Sequence, residues 1–416
     1  MDYSKLMCQR VQDIKPSGIR KYFDLLQGME GGISLGIGEP DFPTPWHIRD
    51  AGIFSLEKGF TKYTPNAGLS DLRAAISRYL KRRFDLDYAP VGQILVTVGG
   101  SEGLDLTFRC LLEPGDEVII PAPSFVCYGP LVSMLHGVPV MVETKAENEF
   151  RLTPDELRAA ITPRTKALVL PFPNNPTGGI MGRADLEALA DVLRGTDIMV
   201  VSDEIYAELT YGGRHVSPAN LPDMVERTVV VNGFSKAYSM TGWRLGYVCG
   251  PKPLIAAMTK LHQYAIMSAP TTSQYAAIEA LDHGDGDIEA MRDEYDGRRR
   301  FLVDGFRRLG LSCFEPLGAF YTFPCIKSTG LSSEEFCDRF LAEQRVAVIP
   351  GTAFGPGGEG YVRACYAASM HDLAEALERL EKFLHGCAPH APCPPAGDAS
   401  GGSLSLTREK VTKERA

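Results

Sequence analysis

The sequence predicts an α/β protein: a mostly parallel sheet covered by helices, joined to a smaller α+β region. Three observations carry this. Seven short apolar runs rich in β-branched residues follow one another: QILVTV, EVIIP, VPVMV, ALVLP, IMVVS, TVVVN and LGYV. All but the last connection between them are long enough to cross over, and most have a helical period, so the strands read as buried on both faces. After about residue 285 the texture shifts to long amphipathic helices and short strands.

In chain order, residues 1–47 form an N-terminal segment that we assign to the smaller domain, and 48–285 form the large domain. Between the first two strands, Leu104, Phe108, Leu111 and Leu112 fall on one helical face. Thr153-Pro154-Asp155-Glu156 is a capping box with proline at the first helical position. TVVVN and LGYV are joined by a turn that holds Lys236, with Arg244 eight residues further on. Residues 286–386 form the smaller domain, through IEAMRDEYDGRRRFLVDGFRRLG, SSEEFCDRFLAEQ and MHDLAEALERLEKFLHG, each with a helical apolar stripe. Residues 387–416, rich in Pro, Gly, Ser and charge, are expected to be a disordered tail.

A chain of 416 residues is long enough for two domains. A formal net charge of −9 without a basic tract argues against a nucleic-acid partner. No apolar stretch approaches the ~20 residues that span a bilayer. MDYSKLMCQR lacks the apolar core of a signal peptide, so a cytoplasmic protein is expected. The scattered cysteines form no Cys-x-x-Cys pair or Cys/His cluster, which weighs against zinc or a disulfide frame. Cys110, Cys249, Cys337 and Cys365 lie in apolar patterns and read as small buried hydrophobes.

Open α/β sheets bind ligands at the carboxyl ends of their strands. After ILVTV come Gly99, Gly100, Ser101, Glu102 and Gly103, which read equally as a phosphate seat at a helix start or as a plain turn. They are neither a dinucleotide fingerprint nor a Walker loop. Phe125, after VIIPAPS, reads as a stacking ring or as core. Turn chemistry accounts for Pro176 and Gly178 but not for the amide of Asn175. Asp203 suits a helix cap or a buried cationic partner, with the phenol of Tyr206 nearby. Lys236, flanked by apolar strands, is costly unless paired or used, and neutral lysine amines form Schiff bases with carbonyls. A phosphate seat, a stacking ring, an amide, a carboxylate, a phenol, a lysine and a guanidinium together are the parts that pyridoxal 5′-phosphate needs.

The order LGIGEPDFPTP, KYTPNAG, VTVGGSEG, PSFVCYGP, NNPTG, SDEIYAEL, FSKAYSMTGWRLGY and GYVRACYA resembles the pyridoxal-phosphate-dependent aminotransferases of class I and II, fold type I, from about Pro16 to Gly386. SGIRKYFDL, EPDFPTPWHIRDA and HQYAIMSAPTTSQ are most similar to the N-acetyl-diaminopimelate aminotransferase-like subgroup, related to the aspartate and aromatic enzymes. The resemblance implies that Lys236 bonds the cofactor aldehyde and shuttles a proton, that Asp203 pairs with the pyridine nitrogen, and that Asn175 and Tyr206 bond the ring's phenolic oxygen. It places Phe125 and Ile205 against the ring. Gly100, Ser101, Glu102, Ser235 and Arg244 fall around the phosphate, with Ser101 and Glu102 acting through backbone N–H groups. Tyr63 reaches the phosphate in a neighbouring subunit, which implies a homodimer with shared sites. Arg363 grips the substrate α-carboxylate, assisted by the Gly38 backbone.

Two departures stand out. Gly233 occupies the place where many relatives carry a hydroxyl, and Phe125 replaces the tryptophan of some aspartate-specific relatives. Phe320 and Tyr321 are expected to line the donor pocket or to be a buried aromatic pair. The implied reaction is a ping-pong transfer of an amino group from an L-amino acid to a 2-oxo acid, with 2-oxoglutarate as acceptor. Donors in view are N-acetyl-LL-diaminopimelate, aspartate and aromatic amino acids. A pyridoxal-phosphate C–S β-lyase is the alternative. An aminotransferase-like regulatory module would require a winged-helix domain, for which the segment before Pro16 is short.

Overall fold

The computed structural model describes residues 1–16, 18–26 and 29–387. The tail expected over 387–416 lies outside the described residues apart from Cys387. Two helices, α1 (Gln9–Asp13) and α2 (Gly18–Leu26), lead to the short strand β1 (Ile33–Ser34), then α3 (Trp46–Glu57) and α4 (Ser70–Phe84). The sheet region alternates β2 (Ile94–Thr97), α5 (Gly99–Leu111), β3 (Glu117–Ala122), α6 (Tyr128–Met134), β4 (Val138–Glu143), α7 (Pro154–Ala160), β5 (Thr165–Leu170), α8 (Arg183–Leu193) and β6 (Met199–Asp203). It closes with β7 (Thr228–Gly233) and β8 (Gly246–Cys249). Helices α9 (Lys252–Ala265), α10 (Thr271–His283) and the long α11 (Asp285–Arg308) follow. The remainder is β9 (Tyr321–Thr322), α12 (Ser333–Gln344), β10 (Val346–Ala347), β11 (Ile349–Pro350), β12 (Val362–Cys365) and α13 (Met370–His385).

All seven apolar runs pair into one sheet, in the order β2-β8-β7-β6-β5-β3-β4. Pairing is parallel except at β8, which is antiparallel to both β2 and β7. That inversion follows from the short β7–β8 turn, which lacks the length for a crossover. Strands β2, β3, β7 and β8 are buried throughout, and β5 and β6 beyond their first residues, whereas β4 at one edge of the sheet exposes Val138 and Met141. Apolar cores lie on both faces of the sheet. α7 begins as expected: the Glu156 amide donates to Thr153 Oγ1 (3.3 Å) and the Glu156 carboxylate accepts the Thr153 N–H (2.9 Å). Leu112 falls just past the end of α5. Cys110, Cys249, Cys337 and Cys365 are free, and the last three are buried.

A second core gathers α11, α12 and α13 around Leu302, Phe306, Phe336, Phe340, Leu380 and Phe383. Two small sheets line it: β11-β12-β9, antiparallel, and β1-β10, parallel. The first strand of the chain thus pairs with residues near its far end, Ile33 opposite Val346.

The glycine pair Gly233 and Gly246, opposite each other across β7 and β8, lets the start of α5 settle on the sheet. A Cβ on Gly246 would stand 2.6 Å from the Gly99 carbonyl carbon and 2.7 Å from the Gly100 nitrogen. One on Gly233 would press at 3.1 Å on both the Gly246 Cα and the Leu245 carbonyl oxygen, a steric reason for glycine there.

Candidate active site

A cavity of ≈ 290 Å³ opens where β2, β5, β6 and β7 end and β12 approaches from the second core. Its lining includes Gly38, Gly100, Ser101, Phe125, Asn175, Asp203, Ile205, Tyr206, Ser235, Lys236, Arg244, Tyr321 and Arg363. Two of the expected residues lie elsewhere. Glu102 turns its carboxylate away, to Val98 and His262. Tyr63 is 79% exposed and outside the lining.

Lys236 follows β7 directly, and its Nζ donates to the Gly38 carbonyl (2.5 Å). Burial lowers its pKa from the ordinary lysine value to about 8; Glu39 opposes this, and Arg363 and Arg244 add to it. The amine is therefore neutral for an appreciable fraction of molecules near pH 8, the form that attacks a carbonyl.

Asp203 ends β6. Its Oδ2 accepts the Tyr128 hydroxyl (2.7 Å) and its Oδ1 the Ile205 N–H (3.3 Å). Burial raises its pKa to about 6 against the pull of those two donors, so at neutral pH it is a buried carboxylate without a cation among the described residues. Tyr128 is a residue that sequence reasoning missed. Its place in PSFVCYGP, three residues after Phe125, was the available signal.

At the other end, α5 presents its first turn, where N–H groups lack intrahelical partners. Gly99 has φ +75°, and a Cβ there would meet Arg244 Nη2 at 2.8 Å. The guanidinium thus lies over the helix start, held by a bond to the Thr241 carbonyl (2.9 Å). Ser101 and Ser235 line the same cavity. This is an anion seat.

Arg363, on β12, is 2% exposed. It donates to Asn175 Oδ1 (2.8 Å) and to the Gly36 carbonyl, and its guanidinium lies 4.4 Å from the Tyr321 ring centre. Its Nε is buried without a partner among the described residues, so the fork still has a donor to give. The Tyr206 and Tyr321 hydroxyls meet at 2.8 Å, and burial pushes both phenols above their ordinary pKa. Phe320 is buried beside them, its ring 5.6 Å from Lys236 Nζ. Glu39, which lines the cavity with Thr241, was not singled out in the sequence. Among the described residues no group of His, Cys, Asp and Glu converges as a metal site.

The chain is similar to known proteins over most of its length. The family model for aminotransferase class I and II matches residues 30–380. A putative aminotransferase of Bacillus subtilis, YugH, is 53% identical over 90% of this chain and 97% of its own. A probable N-acetyl-LL-diaminopimelate aminotransferase of the same organism is 42% identical over 91% of this chain and 96% of its own. The crystal structure of an aromatic aminotransferase from Pyrococcus horikoshii superposes with a TM-score of 0.84 at 45% identity, covering 88% of this chain and 99% of that one. A buried lysine and a guanidinium-capped helix start at the strand ends, on a sheet of this order and with likeness running the length of the sheet and the second core, place the chain in the class I and II aminotransferase family.

Proposed function

We propose that this aminotransferase works on pyridoxal 5′-phosphate, takes its amino group from an L-amino acid with a bulky apolar or aromatic side chain, and passes it to 2-oxoglutarate. The observation that carries this is the buried amine of Lys236, lowered in pKa and set between the carboxylate of Asp203 and the anion seat under Arg244. Three features fit the cofactor. The seat matches a phosphate dianion, the uncompensated carboxylate of Asp203 matches a protonated ring nitrogen, and the unpaired Nε of Arg363 leaves a donor for a substrate carboxylate.

When bound, the cofactor ring supplies a sink for the electron pair left at Cα as its proton departs. The chain's residues do the rest. Lys236 would hold the cofactor at its aldehyde carbon, and its Nζ, as a neutral amine, would carry the proton taken from Cα. Asp203 stays ionised and keeps the proton on the ring nitrogen. Asn175 and Tyr206 bond the ring hydroxyl; Phe125 and Ile205 pack the ring. Gly100, Ser101, Ser235, Arg244 and the Glu102 N–H hold the phosphate. Arg363, with Gly38 opposite, orients the α-carboxylate so that the Cα–H faces the amine. The aromatic face of Tyr321 on the cavity favours large donors, and Phe320 is buried behind the lining.

We also propose a homodimer in the cytoplasm. Trp46, Phe54, Tyr63 and Tyr264 are 62%, 51%, 79% and 84% exposed. The patch is joined by Phe60 stacked on Tyr275 (4.9 Å) and by Asn66 bonded to the Met267 carbonyl (2.8 Å). An apolar surface of this kind suits a second copy, and it carries Tyr63 towards the partner's site.

The test is a donor panel with 2-oxoglutarate. Glutamate formation from phenylalanine, tyrosine, aspartate, alanine and N-acetyl-LL-diaminopimelate would be compared, with the aromatic donors expected to lead. Release of pyruvate and ammonia from cystathionine without an acceptor, exceeding any transfer, would favour the β-lyase.

A further inference from the structure

His262 is fully buried near the end of α9, and the chemistry above makes no use of it. Its Nδ1 lies 2.7 Å from Glu102 Oε1. Its Nε2 has no hydrogen-bonding partner among the described residues. The arrangement leaves one ring nitrogen bare in the core, which costs free energy, so the bond it does make calls for a compensating role.

Glu102 supplies that role. Its other carboxylate oxygen accepts the N–H of Val98, the residue between β2 and Gly99. The Thr97 hydroxyl ties down the Gly99 carbonyl from the same side (2.9 Å). Glu102 therefore braces the turn that leads to Gly100 and Ser101, which line the cavity at the anion seat. A glutamate is flexible about three side-chain bonds and holds such a turn only if its second oxygen is fixed. The buried imidazole fixes it.

We propose that His262 is a positioning residue for the cofactor phosphate: by clamping Glu102 it holds the Val98–Ser101 turn in the shape that receives a phosphate dianion. This rests on the pyridoxal 5′-phosphate reading of the site. A histidine serving stability alone would affect the fold; a clamp on the phosphate turn acts on the phosphate and not on the ring.

The experiment is spectral titration of the cofactor-free protein with pyridoxal 5′-phosphate and, separately, with pyridoxal, which lacks the phosphate. His262→Leu is expected to weaken pyridoxal 5′-phosphate binding by about tenfold, as loss of a hydrogen bond to a charged group implies, while pyridoxal binding changes by less than about twofold. His262→Gln, whose amide can donate to Glu102, is expected to restore most of the loss. If His262→Leu does not fold, Glu102→Met serves instead: it keeps the backbone N–H but removes the side-chain bonds to both His262 and Val98, so the same phosphate-specific loss is expected. Unchanged pyridoxal 5′-phosphate binding, or equal weakening of both ligands, would overturn the clamp. An unsubstituted protein that binds neither ligand would overturn the cofactor assignment itself, and the clamp with it.

Discussion

Tyr128→Phe removes a single oxygen from a fully buried ring and leaves its shape in place. That oxygen is the closest donor to Asp203, at 2.7 Å. A hydrogen bond donated to a carboxylate favours its ionised form, so losing the bond moves the Asp203 pKa upward, further from the ordinary carboxylate value. From about 6 in the intact protein, the shift is about 1–2 units, the equivalent of ~1.5–3 kcal/mol for a hydrogen bond to a charged group. At pH 7 the ionised share of Asp203 in the cofactor-free protein would then fall from about nine-tenths to half or less. Only the ionised carboxylate pairs with a protonated ring nitrogen, so cofactor binding should weaken as pH falls through the Asp203 pKa, and this acid limb should move up by about 1–2 pH units. A second gain in binding, as Lys236 loses its proton with pH rising through about 8, forms the alkaline limb and should stay put. Titration of the cofactor-free protein with pyridoxal 5′-phosphate across pH 5–9 reads both limbs. An acid limb at the same pH in both proteins would refute the role given to Tyr128.

Lys236→Ala should lose the visible absorbance of the bound cofactor, and turnover should fall by more than the ~10²–10⁴-fold that a positioned acid–base group supplies, since the covalent anchor goes too. Arg363→Lys keeps the charge but loses the fork, so KM for amino and oxo acids should rise about 10²-fold, with kcat less affected in steady-state kinetics. Gly99→Ala forces an L-residue to φ +75° and sets a Cβ 2.8 Å from Arg244 Nη2. Thermal unfolding should report a loss of about 1–2 kcal/mol from the backbone alone, and phosphate-dependent cofactor retention should drop further.

The sheet was legible because each buried strand is a continuous apolar run, and the break in parallel order was legible because the Lys236 turn is short. Lys236, Asp203 and Asn175 announced themselves as polar groups at the ends of such runs. Arg363 did not: alone, an arginine in a four-residue strand reads as exposed, and only packing against Asn175, Gly36 and Tyr321 makes it a buried fork. Tyr128 and His262 were illegible for a related reason. An aromatic or imidazole in an apolar pattern looks like core, and its partner, 75 residues away for Tyr128 and 160 for His262, appears only once the chain has folded. Glu102 was read through its backbone, and its side chain proved to be engaged elsewhere.

The pairing of β1 with β10 has a bearing on how the molecule is made. A chain leaving the ribosome amino end first carries Gly36 and Gly38 well before their support exists: roughly 300 residues, or ~15–60 s of synthesis at ~5–20 residues per second, separate β1 from the strand it joins. The sheet bearing Lys236 and Asp203 has all seven strands translated by Cys249. During biosynthesis the cofactor's seat can therefore form before the substrate's, and a nascent chain halted short of Val346 is expected to capture the coenzyme without recognising an amino acid.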